Sequence, residues 1–176
     1  AAKAAALAWE GRPLEVAGLA GWRVESAPDG RPELHRFGVS PDGPKLELSI
    51  SHSHGLAAAL VMAARPCGLD LQKVTDTMLR VRERFCSEAE GELLRGVGMG
   101  PEAREEVRLT LLWTAKEALR KGRGGVPLTG FLAMRLVAIE LLGEQGWCFR
   151  LRVAGAGEYP VVLLLTGDFA WAVCAV

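Results

Sequence analysis

The stretch WTAKEALRK at residues 113–121 decides how this chain is read. It places Trp113, Lys116, Glu117 and Lys121 on one apparent helix. Glu117 and Lys121 are four residues apart, so they lie on one face about one turn from each other. A carboxylate flanked by two ammonium groups suits a site that holds a metal ion and phosphate oxygens together. Upstream, CGLDLQ at 67–72 adds a second carboxylate, Asp70. Together the two segments read as a divalent-metal, phosphate-handling site. The competing reading of the helix alone is a surface element carrying an ion pair worth about a few tenths of a kcal/mol.

Around this segment the pattern is that of an α+β domain with one dominant helix over 102–121. Residues 1–9 are Ala-rich and favour helix. Gly11, Pro13, Gly18 and Gly21 then break the chain into loop or short strand up to about residue 30. Turn chemistry recurs at 29–33 and 41–44, with a short strand at 34–40 between them. LELSIS at 46–51 alternates, which puts Leu46, Leu48 and Ile50 on one face of a strand. LAAALVMAA at 56–64 is read as a buried strand that turns at Arg65-Pro66 and returns as 67–72. Ser87 and Glu90 form a capping box that opens a helix running to about Arg95, closed by Gly96, Gly98, Gly100 and Pro101. The dominant helix stops at Gly122, Gly124 and Gly125. Three strand-like runs follow, at about 133–142, 147–153 and 160–176.

The 176 residues favour one domain, or two small lobes sharing a core. Such a length buries about two-thirds of the unfolded surface, so a core forms without staples. The 21 basic residues balance the 21 acidic ones. That balance argues against bulk binding to nucleic acid or to an anionic membrane, while leaving room for a local basic pocket. Cys67, Cys86, Cys148 and Cys174 form no CxxC pair, and His35, His52 and His54 fall at no zinc-finger spacing. The cysteines read as buried, inert thiols in a reducing cytoplasm. The longest apolar run, at 160–176, is interrupted by Gly167 and Asp168 and is too short to span a bilayer. The chain opens on AAKAAALAW without an initiating Met, as a domain cut from a longer polypeptide would.

Asp70 and Glu117 meet if the long helix packs over the end of the sheet. Two carboxylates plus substrate oxygens and water is how Mg²⁺ is usually held. Gln72 shares a strand face with Asp70 and offers a neutral oxygen as a weak or water-mediated ligand. Lys116 and Lys121 supply positive charge for phosphate, and Arg31 is a further candidate. His52, between Ser51 and Ser53 and shortly before Gly55, sits in a turn able to wrap an anion. The alternative is a polar hairpin edge whose histidine faces water. Ser-His nucleophilic catalysis is a poor fit, because neighbours on a strand point to opposite faces. Arg80, Arg82 and Arg84 recur at every second residue. An extended segment would put them on one side as a docking strip; a solvated face is the other reading.

The order GRP (30–32), SISHS (49–53), GLD (68–70), RFCSEAE (84–90) and WTAKEALRK (113–121) resembles the 4′-phosphopantetheinyl transferase superfamily. Its signatures are a GxD strand and a (W/F)(S/T/C)xKE(A/S)xxK helix, the second of which matches at every defined position. The SHS and GRP elements look like the surfactin-synthetase activator type rather than the shorter holo-acyl-carrier-protein synthase type. The resemblance covers about residues 28–176. It implies an antiparallel sheet packed on one long helix, and it leaves open whether two pseudo-symmetric lobes are present. In lobe terms, 1–66 would be a shortened first lobe and 67–176 a second lobe carrying the metal site.

The reaction implied is transfer of the 4′-phosphopantetheine arm of coenzyme A to a serine of an acyl or peptidyl carrier protein, releasing 3′,5′-ADP. Carried over by matching positions, Asp70 and Glu117 would hold Mg²⁺, with Gln72 beside them. Glu117, directly or through water, would help deprotonate the serine. Lys121 would neutralise charge on the moving phosphoryl group, with Lys116 assisting. His52 would contact a CoA phosphate, and Ser51, Arg31 and Pro32 would line the nucleotide end. Gln72 stands where many members of this type carry an acidic residue, so the metal would have one anionic ligand fewer. Only Lys3, Arg12 and Arg23 precede GRP as basic residues. The short first lobe makes self-association one way to complete the fold. It also fits a transferase domain of a polyketide or fatty-acid synthase. A non-catalytic CoA- or carrier-binding module and a metal-dependent hydrolase of CoA or a nucleotide are the competing readings.

Overall fold

A computed structural model describes residues 1–38, 45–96, 104–124 and 130–176. The turn expected at 41–44 lies outside these residues, as do the first residues of the expected 102–121 helix and the stops at Gly98, Gly100, Pro101 and Gly125. The architecture is α+β, with two antiparallel sheets and one long helix. Strands β1 (Trp22–Ser26), β2 (Pro32–Arg36), β3 (Leu46–Ser53) and β4 (Leu56–Ala63) form the first sheet in sequence order. Strands β5 (Cys67–Lys73), β6 (Met134–Leu141), β7 (Gly146–Val153), β8 (Gly157–Thr166) and β9 (Phe169–Ala175) form the second, in the order β5-β9-β8-β7-β6. The helices are α1 (Ala2–Trp9), α2 (Val16–Ala20), α3 (Thr77–Arg80), α4 (Glu88–Gly96) and α5 (Glu105–Gly122).

Helix α5 is the spine of the main core. Leu109, Leu112, Ala115 and Leu119 are buried at helical spacing. They share a cluster with Phe149, Leu151, Val161, Leu163 and Ala172 from alternating positions of the second sheet. A smaller cluster of Ala6, Leu7 and Trp22, with Leu46 against it, fixes α1 on the first sheet. Between the two stands β5, on the edge of the second sheet. A bare edge exposes a row of unpaired amides. Here β3 supplies the partners through side chains. Leu69, Leu71 and Lys73 donate their backbone N–H groups to the hydroxyls of Ser49, Ser51 and Ser53 at 2.9, 3.1 and 3.1 Å. The period of a strand puts all three serines on one face of β3, and all three are buried.

Several expectations change on this scaffold. The β4 strand is half-buried rather than buried: Leu56 and Ala57 are exposed and the rest of the strand is only partly covered on both faces. It does not return as β5 in a hairpin. After Arg65-Pro66 the chain crosses to the second sheet, where β5 pairs with β9. On β3 the polar serine face is buried along with Leu48, because it meets the amides of β5. The run 160–176 is two strands, β8 and β9, joined by a tight turn in which Gly167 has φ 56°. Residues 16–20 are helical. Gly18 is not a breaker there: a Cβ on it would stand 3.0 Å from Leu7 Cδ2, so the missing side chain permits close packing. Arg80, Arg82 and Arg84 do not form an extended strip. They lie on α3 and a following 3₁₀ turn, and Arg82 pairs with Glu105 at 3.5 Å. The helical rotation scatters their directions.

All four cysteines are free, and Cys148 is only half-buried. Burial pushes the thiols of Cys67 and Cys174 up to about 11 and about 12. Among the described residues no helix is long and apolar enough to cross a membrane.

Replacing Ser49 by Ala strands the buried Leu69 amide. The expected loss is about 1–3 kcal/mol of unfolding free energy in urea titration. A loss within about 0.5 kcal/mol, typical of a neutral surface change, would show that the serine contacts do not join the sheets.

Candidate active site

Where β3, β5 and α5 converge, an open cleft of about 390 Å³ is lined by Ile50, Ser51, His52, Asp70, Leu71, Gln72, Trp113, Glu117 and Lys121. The local sequence explains the convergence. Gly68 lets β5 approach the helix backbone: a Cβ there would stand 1.8 Å from the Ala118 carbonyl oxygen and 2.7 Å from Gly122 N. No side chain fits in that space. Two residues on, Asp70 therefore faces α5, within reach of its last turns.

Lys121 is the hub. Its ammonium donates to the carbonyls of Ile50 at 3.3 Å and Leu69 at 3.1 Å, and to Asp70 Oδ1 at 2.8 Å. One side chain thus ties the helix to both sheets. Ser51 donates to the same Asp70 oxygen at 2.8 Å while accepting from Leu71 N–H. Glu117 is nearly buried, and its Oε2 accepts from Arg120 Nε at 2.9 Å and Nη2 at 2.8 Å. Burial pushes the Glu117 carboxyl above the ordinary glutamate range. Arg120 opposes the rise and the nearby Asp70 carboxylate adds to it.

Of the residues named from the sequence, the cleft brings together Ser51, His52, Asp70, Gln72, Glu117 and Lys121. Gln72 lines it with its amide nitrogen turned to the Lys73 carbonyl at 3.3 Å. His52 is exposed on β3. The hairpin turn beyond it is His54-Gly55, with φ of 47° and 83°. Arg31 and Pro32 line a second, narrower pocket between the sheets, together with Lys45 and again Lys121. Arg31 pairs with Asp29 at 2.7 Å and packs over Gly124, just past the end of α5.

Lys116 is placed differently from the expectation. It is fully enclosed on the core side of α5, and its ammonium is held by Glu90 Oε1 at 2.7 Å and the carbonyls of Phe85 at 2.6 Å and Phe131 at 3.1 Å. One residue from Glu117 is about 100° around a helix, so the two cannot share a face. Burial holds its pKa below the ordinary lysine range, opposed by Glu90. Lys116 therefore fixes the rotation of α5 that presents Glu117 and Lys121 to the cleft. Glu90 is the counterpart that the sequence reading used only as a cap. Its Oε2 accepts from the backbone N–H and the hydroxyl of Ser87, and its Oε1 also accepts from Leu136 N–H. Arg120 was missed as well, although its spacing from Glu117, three residues on, is the signal for an ion pair.

Glu90→Ala leaves the Lys116 ammonium buried without its anion. The expected loss is about 3–5 kcal/mol of unfolding free energy. A loss below about 1 kcal/mol, the scale of an exposed pair, would show that the anchor is dispensable.

The donor set fits a hard divalent cation. Among the described residues no group of three or more His, Cys, Asp or Glu gathers anywhere. Asp70 and Glu117 do face one cleft, with an amide oxygen available on Gln72. Two carboxylates, completed by phosphate oxygens and water, match how Mg²⁺ is bound beside substrate phosphates. Zinc sites are usually rich in His nitrogen or Cys sulfur, and among the described residues His52 alone of these types lines the cleft.

A family model described as the 4′-phosphopantetheinyl transferase superfamily matches residues 66–174, from the start of β5 through β9 and more than half of the chain. No curated protein matches the chain. The matched segment contains Asp70, Glu117 and Lys121, together with the helix and sheet that position them. The chain belongs to the 4′-phosphopantetheinyl transferase superfamily.

Proposed function

We propose that this chain is a holo-[acyl-carrier-protein] synthase. It would move the 4′-phosphopantetheine arm of coenzyme A to the serine hydroxyl of an acyl or peptidyl carrier protein. The observation that carries the reading is the cleft at the junction of the sheets that Asp70, Glu117, His52 and Lys121 line together, with Lys121 bonded to Asp70. Membership of the superfamily supports phosphopantetheinyl transfer in general.

In the proposed reaction a serine oxygen forms a new bond to phosphorus and the bond from that phosphorus to 3′,5′-ADP breaks. The serine proton passes to Glu117, directly or through water. Phosphoryl transfer asks the protein for in-line positioning and charge stabilisation. Asp70 and Glu117, with Gln72 adjacent, would hold Mg²⁺, which supplies neutralising charge at the pyrophosphate when bound. Lys121 is anchored by two backbone carbonyls, so it adds positive charge at a fixed position. Exposed His52 contributes a donor at the mouth of the cleft. The pocket lined by Arg31, Pro32 and Lys45 adjoins the cleft through Lys121, which supports placing the nucleotide end of coenzyme A there. Lys116 is assigned a positioning role in place of phosphate contact. The free thiols support a reducing compartment, the cytoplasm.

Intact-protein mass spectrometry of an apo carrier protein, incubated with the chain, coenzyme A and Mg²⁺, tests the reading. The expected result is the gain of one phosphopantetheine arm, lost with Glu117→Ala. Consumption of coenzyme A with no modified carrier would point to hydrolysis. Binding without turnover across several carriers would point to a non-catalytic module.

A further inference from the structure

The two carboxylates of the cleft are already matched by two cations of the same chain. Asp70 Oδ1 is held by Lys121, and Glu117 Oε2 by Arg120, both at 2.8 Å. The pairs differ in how firmly their cations are fixed. Lys121 is anchored by backbone carbonyls on two strands. Arg120 is 37% exposed, and its guanidinium lies 5.7 Å from the centre of the Phe131 ring. That distance is within the range of a cation–π contact. The guanidinium makes this ring contact while it is bonded to Glu117, and its remaining side is open to solvent.

Resting on the metal-site reading above, we infer that Arg120 is a displaceable counter-ion that competes with the divalent cation for Glu117. A nearly buried carboxylate facing another carboxylate is costly without a neutralising partner. Arg120 meets that need while no cation is bound. Both of its hydrogen bonds fall on Glu117 Oε2, so that oxygen opens to a cation only when they break. When the cation arrives, the guanidinium turns from Glu117 towards solvent, and the charge it balanced is balanced by the cation. The device sets cation affinity lower than the bare carboxylates would give, so that the cation binds best together with an anionic substrate.

Mn²⁺ serves as the probe, its free concentration read by electron paramagnetic resonance without coenzyme A, on the wild-type chain and on Arg120→Met, Arg120→Gln and Glu117→Ala. Met keeps most of the aliphatic stem and Gln keeps a polar head, so one variant retains packing if the other disturbs it. The expected result is Mn²⁺ bound roughly twofold to fivefold more tightly by both Arg120 variants, the scale of removing one partly exposed ion pair. Glu117→Ala should bind more weakly than the wild type. Unchanged or weaker binding by both Arg120 variants, with Glu117→Ala still impaired, would overturn the inference and leave the metal site standing. Unchanged affinity in Glu117→Ala would instead overturn the metal-site reading, and the inference with it.

Discussion

The edge of β5 is where this molecule is held together. Its amides at Leu69, Leu71 and Lys73 find their acceptors on Ser49, Ser51 and Ser53 of the other sheet. A backbone ladder would have merged the two sheets into one. Side-chain hydroxyls reach further, so the sheets stay separate and leave a cleft at their junction. The same contact organises the chemistry. Ser51 accepts from Leu71 N–H and donates to Asp70 Oδ1, so one hydroxyl joins the sheets and orients a carboxylate. On the other side, Gly68 brings α5 against β5, and Lys121 closes the arrangement from the helix.

The rotation of α5 is set by charges on its two sides. Lys116 is drawn inward by Glu90, which also caps α4 and accepts from Leu136 N–H. Glu117 then turns to the cleft, and Lys121 follows one turn on. A buried ion pair is weak evidence for stability but a strong constraint on register, because a half-satisfied partner is so costly. The adjacent lysine and glutamate of the motif thus do separate work: the first fixes the helix and the second faces the cleft.

Much of this was legible in the sequence. The period of 113–121 exposed Glu117 and Lys121 as one face, and the Ser87–Glu90 spacing exposed the cap. Strand alternation located β3, and the motif order pointed to the superfamily. Long-range contacts were not legible. Alternation in LELSIS identifies two faces but not which is buried, and the serine face meets β5 because unpaired amides lie there. The link from β4 to β5 looked like a hairpin because Arg65-Pro66 marks a turn without naming the next partner strand. The role of Lys116 depended on Glu90, twenty-six residues away in sequence, and nothing local marks that pairing. Arg80, Arg82 and Arg84 looked extended because period two is the strand period, whereas the core holds Met78 and Phe85, which bracket a helical turn and a 3₁₀ turn.

The central claim is that the reactive centre lies at the serine-joined junction, between Asp70 on β5 and Glu117 on α5. A crystal structure of the chain with coenzyme A and Mn²⁺, phased to show the metal's anomalous signal, tests it most directly. The account predicts a single strong peak between those two carboxylates, with the pyrophosphate beside Lys121 and His52. A metal peak elsewhere, or coenzyme A bound away from the junction, would contradict it.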